Sequence, residues 1–558
     1  MPQKTIPLFG PITVRGVNAE TNIAKDQRLI NGVVTLAQDH VGGSNIPFVE
    51  KRTGWALNST PSAGNAGEGI SYFHGNAGIS EIFVGFGETN TEIFSKAGTS
   101  YGSITGRMLS FSNSIIINNT EHLFIRSVDD TGWYLAYDVY ASADKTFTGD
   151  THTNTTIDNI AGSDALHVGQ SLSGTGIQAN TRIQSIDSAT SITTTLATTA
   201  TNAGVTITRG DLSKIIDADF IASATGNPGN FVEMDGWVFT CTPNGRIYNS
   251  DINSADSWAA DNYIPSNISG DRPVALAVTK GMLACFGTNS IEFFQNAGNP
   301  SGSPLAGIKQ GFKNIGLNNI AAITWLKDDI YFCTSTQWGV LEIYKLNGFD
   351  LEKISTPQVE NILGSSTNAV FISSYLYGGN AFIQAVKWNN VSPFSHARTL
   401  VYNATSKTWV EETGNIATFI SGLTFGSINS IYGVTRGNTG GKIYKKLATS
   451  AGYGLDDADA YTLTIQTEPK VLNGGKGFKI PYIDLLADTQ SAGETTLEIS
   501  RDDYGTWQVL GVFNLTKTRK RITRCGYCRS SAAFRLTDSR TAAWRGQALV
   551  VGVEPCET

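Results

Sequence analysis

The sequence predicts an all-β protein: a β-propeller carrying a small inserted β module, followed by a C-terminal β-sandwich. Three observations predict it. Apolar residues alternate in short runs, and helical periodicity is almost absent. Glycine is abundant, at 59 of 558 residues, and aromatics make up 10% of the chain. Many glycines among β-branched and aromatic runs suit many short strands joined by tight turns. Hairpin-like segments then recur roughly every 35–50 residues, the spacing of propeller blades. Stacked sandwiches are the alternative architecture.

The hairpin segments follow in order. "EIFVGFG" begins at Glu81, "SIIINNTEHLFIRS" at Ser114 and "GWYLAYDV" at Gly132. "GWVFTCTPNGRIYNS" begins at Gly236, "LAVTKGMLACFGTNSIEFFQ" at Leu276 and "DIYFCTSTQWGVLEIYKL" at Asp329. "AVFISSYLYGGNAFIQAV", "TLVYNATSKTWVEET" and "SIYGVTRGNTGGKIYKK" begin at Ala369, Thr399 and Ser430. Asn244-Gly245 and Gly378-Gly379 are expected as hairpin turns with positive φ. Trp409 is expected to return to its sheet after a polar turn, and Trp258 to echo it. Six to eight blades would fit.

Domain boundaries follow from composition. Residues 1–145 are expected to hold an N-terminal segment and the first blades, and residues 209–460 the remaining blades. Between them, residues 146–208 are about one quarter threonine, and no aromatic occurs between Phe147 and Phe220. This stretch reads as a small β module inserted in a loop of the propeller. A module of this size is marginal alone, but a host loop restrains both ends. It is either a decorative knob or an attachment module, and the lack of aromatic platforms favours the knob. From about Tyr461 the strand spacing changes, and residues 461–558 are expected to form the sandwich.

Bulk properties narrow the function. The net charge of −7 argues against tight, sequence-independent nucleic-acid binding, although nucleic acid could still slide past such a surface. No secretory leader and no apolar run of about 20 residues is seen, so synthesis in a cytoplasm is expected. Six cysteines are too sparse for a disulfide scaffold. Cys241, Cys285 and Cys333 lie in apolar runs and are expected in the core. Cys525 and Cys528 form a CxxC, but only Cys556 lies near it, so no metal or other cofactor is predicted.

Catalytic motifs are missing. The histidines, His40, His74, His122, His152, His167 and His396, form no zinc-protease pattern. There is no nucleophile elbow, P-loop or dinucleotide fingerprint. "SRDDYGTW", from Ser500, nearly spells the Asp box of sialidase propellers, Ser-x-Asp-x-Gly-x-Thr-Trp, with Tyr504 where the box has glycine. Asp502 and Asp503 are expected on a strand with side chains on opposite faces, which rules them out as a glycosidase dyad. A structural turn is expected instead, with Asp502 accepting backbone N–H bonds and Trp507 covering the hairpin. No catalytic residue is predicted.

The basic run "KTRKRITR" holds Lys517, Arg519, Lys520, Arg521 and Arg524. Strand alternation would put Lys517, Arg519 and Arg521 on one face and Lys520 on the other. The run is either a charged edge strand that stays soluble or a positive ring facing a channel or a neighbouring subunit.

Four motifs in order, "DGWVFTCTPNGRIYNSDINSADSW", "FGTNSIEFFQNAGNP", "LEKISTPQVENIL" and "TLVYNATSKTWVEET", resemble a known family. It is the packaged-DNA stabilisation, or tail nozzle and hub, family of short-tailed bacteriophages (podoviruses). "RLINGVV", "FVEKRTGW" and the C-terminal "SRDDYGTW", "CGYCRSS" and "AFRLTDS" are similar too. Thr53 stands where the family commonly has proline, and Tyr504 where its hairpin has glycine. The resemblance covers most of the chain outside the threonine-rich insert. It implies a non-enzymatic virion protein forming a homo-hexameric ring below the portal and its adaptor ring. Such a ring retains packaged double-stranded DNA and conducts it during ejection. Tail fibres or spikes, and a tail needle or plug, are the further partners implied. The alternative is a carbohydrate-binding or carbohydrate-cleaving propeller that recognises a receptor.

Overall fold

The computed structural model describes residues 2–8, 27–38, 45–73, 81–128, 132–163, 165–218, 220, 229–266, 270–299, 301–326, 328–364, 369–389, 395–414, 418–425, 428–436, 440–448 and 452–556. Among them, seven four-stranded antiparallel units succeed one another around a ring. Blade one comprises Gly67–Phe73, Glu81–Phe86, Asn90–Ser95 and Ser100–Thr105. Blade two comprises Met108–Ile117, Thr120–Ser127, Trp133–Ala136 and the end of Thr201–Lys214. Blades three, four and five begin at Phe231–Met234, Pro273–Thr279 and Ile323–Leu326. Blade six runs from Ala369–Tyr377 to Thr408–Glu412, and blade seven begins at Phe419–Phe425.

Polar side chains join neighbouring blades. Ser71 Oγ donates to the Ser112 carbonyl at 2.9 Å, from blade one to blade two. Asn230 both donates to and accepts from the backbone of Leu276, between blades three and four. Ser374 Oγ donates to the Trp325 carbonyl at 2.6 Å, between blades six and five. The ring closes where Gly67 N–H bonds the Thr435 carbonyl. Strands with both faces covered carry an unbroken apolar run, as Ile330 to Cys333 within Asp329–Ser335 shows. Cys241, Cys285 and Cys333 occupy the second strands of blades three, four and five, all buried.

The first hairpin of several blades uses the same two-residue turn. Asn118-Asn119, Asp235-Gly236, Lys280-Gly281 and Gly378-Gly379 all take positive φ at both positions. That conformation matches the right-handed twist of the flanking strands. Asn244-Gly245 differs from expectation. Thr242 pairs with Arg246, so the loop has three residues, and only Gly245 of the pair has positive φ. Trp258 also differs: it lies outside any strand, stacked on Phe220 at 4.4 Å. Trp409 is in the fourth strand of blade six and donates Nε1–H to the Ile354 carbonyl.

The threonine-rich segment extends blade two. Thr146–His152 pairs with the first half of Thr201–Lys214, whose last residues pair with Trp133–Ala136. Phe147, Ile157, Leu172, Ile183, Ile192 and Ile207 give it a separate core.

The sandwich draws on both ends of the chain. One sheet continues outward from blade six: Arg28–Ile30 lies beside Thr408–Glu412, followed by Leu463–Gln466, Ala533–Asp538, Glu494–Ser500 and Gln508–Asn514. The other sheet holds Gly32–Gln38, Asn45–Lys51, Arg545–Gly552, Phe478–Ala487 and Lys520–Cys528, with Gln3–Pro7 along Arg545–Gly552. Ile6, Val49, Ile465, Phe478, Phe513, Phe534 and Leu549 fill the space between the sheets. The N-terminal strands thus serve the sandwich rather than the first blades. Trp55–Ser59 then supplies the outer strand of blade seven. Pro357–Leu363 forms a short helix between blades five and six, capped by the Thr356 side chain with proline at its start.

Candidate functional site

The Asp-box-like turn is built around Asp502. The turn joins Glu494–Ser500 to Gln508–Asn514, so Asp502 and Asp503 lie in a loop and not on a strand. Asp502 Oδ1 accepts from Thr506 N–H at 2.9 Å and Oδ2 from Thr506 Oγ1 at 2.6 Å. Ser500 Oγ donates to Asp502 and accepts from Tyr504 N–H. The Thr506 hydroxyl bond in particular holds the Asp502 carboxyl below its ordinary range. Tyr504 has φ of 71°, yet its ring is buried and its hydroxyl donates to the Thr467 carbonyl at 2.9 Å. Trp507 lies 5.7 Å from the Tyr504 ring, with the Arg535 guanidinium 4.3 Å from its centroid. Every group in the turn is engaged in holding the loop.

The basic run does not lie on one strand. The strand begins at Lys520, so Lys517 and Arg519 precede it in the connecting turn. Arg519 and Arg521 converge on Asp484, Arg521 with two bonds of 2.6 Å. Arg521 also covers the Tyr482 ring at 3.7 Å. Lys520 turns inward: it is buried and donates to the Ala487 carbonyl at 2.8 Å, and burial lowers its pKa. Arg524 is exposed at φ of 62° and has no ion pair among the described residues. Its left-handed backbone falls where the pairing of Phe478–Ala487 with Lys520–Cys528 slips register.

Sequence reading missed the most connected charge. Arg52 is buried where blades six and seven meet the sandwich. It bonds both Asp456 oxygens, the Thr413 carbonyl and Asn31 Oδ1, and its guanidinium lies 3.9 Å from the Tyr461 ring centroid. Nearby, Arg28 makes two bonds to Glu411, and Lys51 is buried against Asp538. These pairs tie residues 28–52 to both domains.

Cys525 and Cys528 are buried in the sandwich core, and burial pushes the Cys525 thiol up to about 11. Protonated thiols of that kind pack as apolar groups. Among the described residues, no cluster of three or more His, Cys, Asp and Glu could hold a metal ion. His122 is buried with its pKa lowered by burial to about 4, and His152 and His167 pair with Asp158 and Asp138. His40, His74 and the side chain of His396 lie outside the described residues.

An axial cavity of about 420 Å³ lies within the propeller, walled largely by inner strands of blades one, two, five, six and seven. Glu68 is the one acidic residue lining it among the described residues, with its carboxyl buried. Burial raises that carboxyl to about 7, and Arg107 and Arg436 stand 3.9 and 3.8 Å away.

Residues 136–410 match the family model described as "Bacteriophage P22 Gp10, beta-propeller". Over these residues the chain is similar to this phage stabilisation family. That match marks a bacteriophage structural protein with a β-propeller, and a virion component. The match runs from the end of the third strand of blade two into blade six and includes the threonine-rich module. No curated protein matches the chain. Two solved structures superpose weakly. A chain of a mitotic checkpoint complex is 9% identical at TM-score 0.35, covering 72% of this chain and 95% of that one. BBS1N in complex with ARL6DN is 10% identical at TM-score 0.35, covering 72% and 99%. At such scores neither bears on fold or function. Among the described residues, no helix is long and apolar enough to cross a membrane.

Proposed function

We propose that this protein forms the tail nozzle or hub of a short-tailed phage, a homo-hexameric ring that retains packaged DNA and conducts it during ejection. The ring sits below the portal adaptor. Tail fibres or spikes, and a needle or plug, attach to it. It assembles in the host cytoplasm and acts without catalysis. The observation that carries this reading is the phage stabilisation match over residues 136–410.

Two structural features support it. The sandwich and blade six share one sheet, and buried ion pairs lock their junction. A wall that must bear the force of packed DNA gains from such continuity. The chain is net-negative, at −7, so a duplex would slide past with few phosphate contacts to retard it. Arg519 and Arg521 are both held by the single carboxylate of Asp484. The exposed Arg524, beside the unpaired edges of both sandwich sheets, is therefore the better candidate for a contact between subunits.

Electron microscopy of the purified chain, alone and mixed with adaptor-bearing, tail-deficient capsids, tests the reading. Six-fold tubes, free or at the capsid vertex, are expected. Isolated particles that ignore the capsid would overturn it.

A further inference from the structure

We propose that the axial cavity of the propeller is a binding site for a neutral saccharide of one or two rings. Its volume of about 420 Å³ lies within the usual range of small-molecule sites, roughly 300–1,000 Å³. Tyr72, Phe111, Trp325 and Phe419 contribute to the wall from four different blades, and each remains only half-buried. Asn113, Ser110 and Ser374 add amide and hydroxyl groups among them. A sugar presents one apolar C–H face and a rim of hydroxyls. Aromatic rings interspersed with neutral hydrogen-bonding groups complement both.

The charges select against other ligands. Among the described residues no lysine or arginine lines the wall, so a phosphate or carboxylate would meet no counter-charge from them. Among the described residues, Glu68 is the only acidic one lining the wall. Glycoside cleavage uses two carboxyls flanking the scissile bond, so this site binds without cleaving. The Glu68 carboxyl has no hydrogen bond among the described residues: Arg107 and Arg436, at 3.9 and 3.8 Å, are beyond hydrogen-bonding range. A ligand hydroxyl would supply the missing partner, at the cost of a small rotation of the side chain. Because burial keeps this carboxyl partly protonated near neutral pH, it can both donate and accept.

The test is tryptophan fluorescence and saturation-transfer NMR on the full chain with glucose, galactose, mannose, rhamnose, maltose and lactose. At least one sugar is expected to bind. Glu68→Gln should weaken that binding about tenfold, the equivalent of one lost hydrogen bond to a charged group. Trp325→Ala should weaken it more than Trp325→Phe. Thermal melts of each variant separate lost binding from lost fold, and Trp325→Phe keeps the wall filled. No signal from any of the six sugars would overturn the proposal. Binding unchanged in Glu68→Gln and Trp325→Phe alike would overturn it too, by placing the sugar elsewhere. Neither failure touches the nozzle reading, which rests on the family match.

Discussion

Arg52 and Asp456, 404 positions apart in sequence, form a two-point ion pair buried between the propeller and the sandwich. Removing Asp456 leaves the buried Arg52, among the described residues, with only the longer ion-pair contact to Glu412, at 3.9 Å. Asp456→Ala should therefore cost about 3–5 kcal/mol. Denaturant unfolding of wild type and variant checks this. A loss below 1 kcal/mol would show that the seam carries little of the stability.

Tyr504 combines a strained backbone with a well-placed side chain. Tyr504→Phe deletes only the bond to the Thr467 carbonyl and should cost about 1 kcal/mol. Tyr504→Gly relieves the positive φ, a gain of about 1 kcal/mol. It also empties a buried aromatic site, a loss of about 3 kcal/mol or more. The glycine variant should be the less stable of the two despite restoring the regular Asp-box residue, and paired melting curves decide the order.

Glu68 makes stability pH-dependent in a defined direction. Its folded-state pKa, about 7, lies above the ordinary value of 4.5 because burial disfavours the charge. The folded protein therefore holds a proton that the unfolded chain releases between those values. Stability falls as pH rises through that window. Relative to Glu68→Gln, wild type should lose roughly 3 kcal/mol between pH 5 and pH 8. Unfolding free energies of both proteins at the two pH values measure the difference.

The basic run splits into two experiments. Arg521→Glu breaks the pair with Asp484 and the contact with Tyr482, and should cost about 1–2 kcal/mol of stability. Arg524→Glu touches no ion pair among the described residues and should change stability by less than about 0.5 kcal/mol. If Arg524 meets a neighbouring subunit, that variant alone should melt normally and yet fail to form rings in sedimentation analysis.

Much of the propeller was legible because local rules govern it. Each blade is a meander of neighbouring strands, and alternation with turn residues exposes a meander. Turns were legible where glycine marked them and obscure where it did not: Asn118-Asn119 adopts the same turn as Gly378-Gly379. The basic run was read as one strand because alternation says nothing about where a strand begins. Arg52, Lys51 and Arg28 escaped notice because their partners lie hundreds of positions away, and one sequence carries no sign of such pairing. Glu68 escaped for a related reason, since the cavity exists only once the ring is closed.

The placement of Trp55–Ser59 in blade seven has a consequence for biosynthesis. These residues leave the ribosome before any blade, yet their partner, Ile443–Lys446, is translated almost four hundred codons later. Through most of translation the early strands have nothing to dock on. The ring cannot close until Ile443–Lys446 emerge, and the sandwich cannot assemble until the last hundred residues follow. Contacts this distant are slow to form and leave sticky strand edges uncovered meanwhile. In a cell making many copies at once, chaperone supply and translation speed would then limit the yield of finished protein.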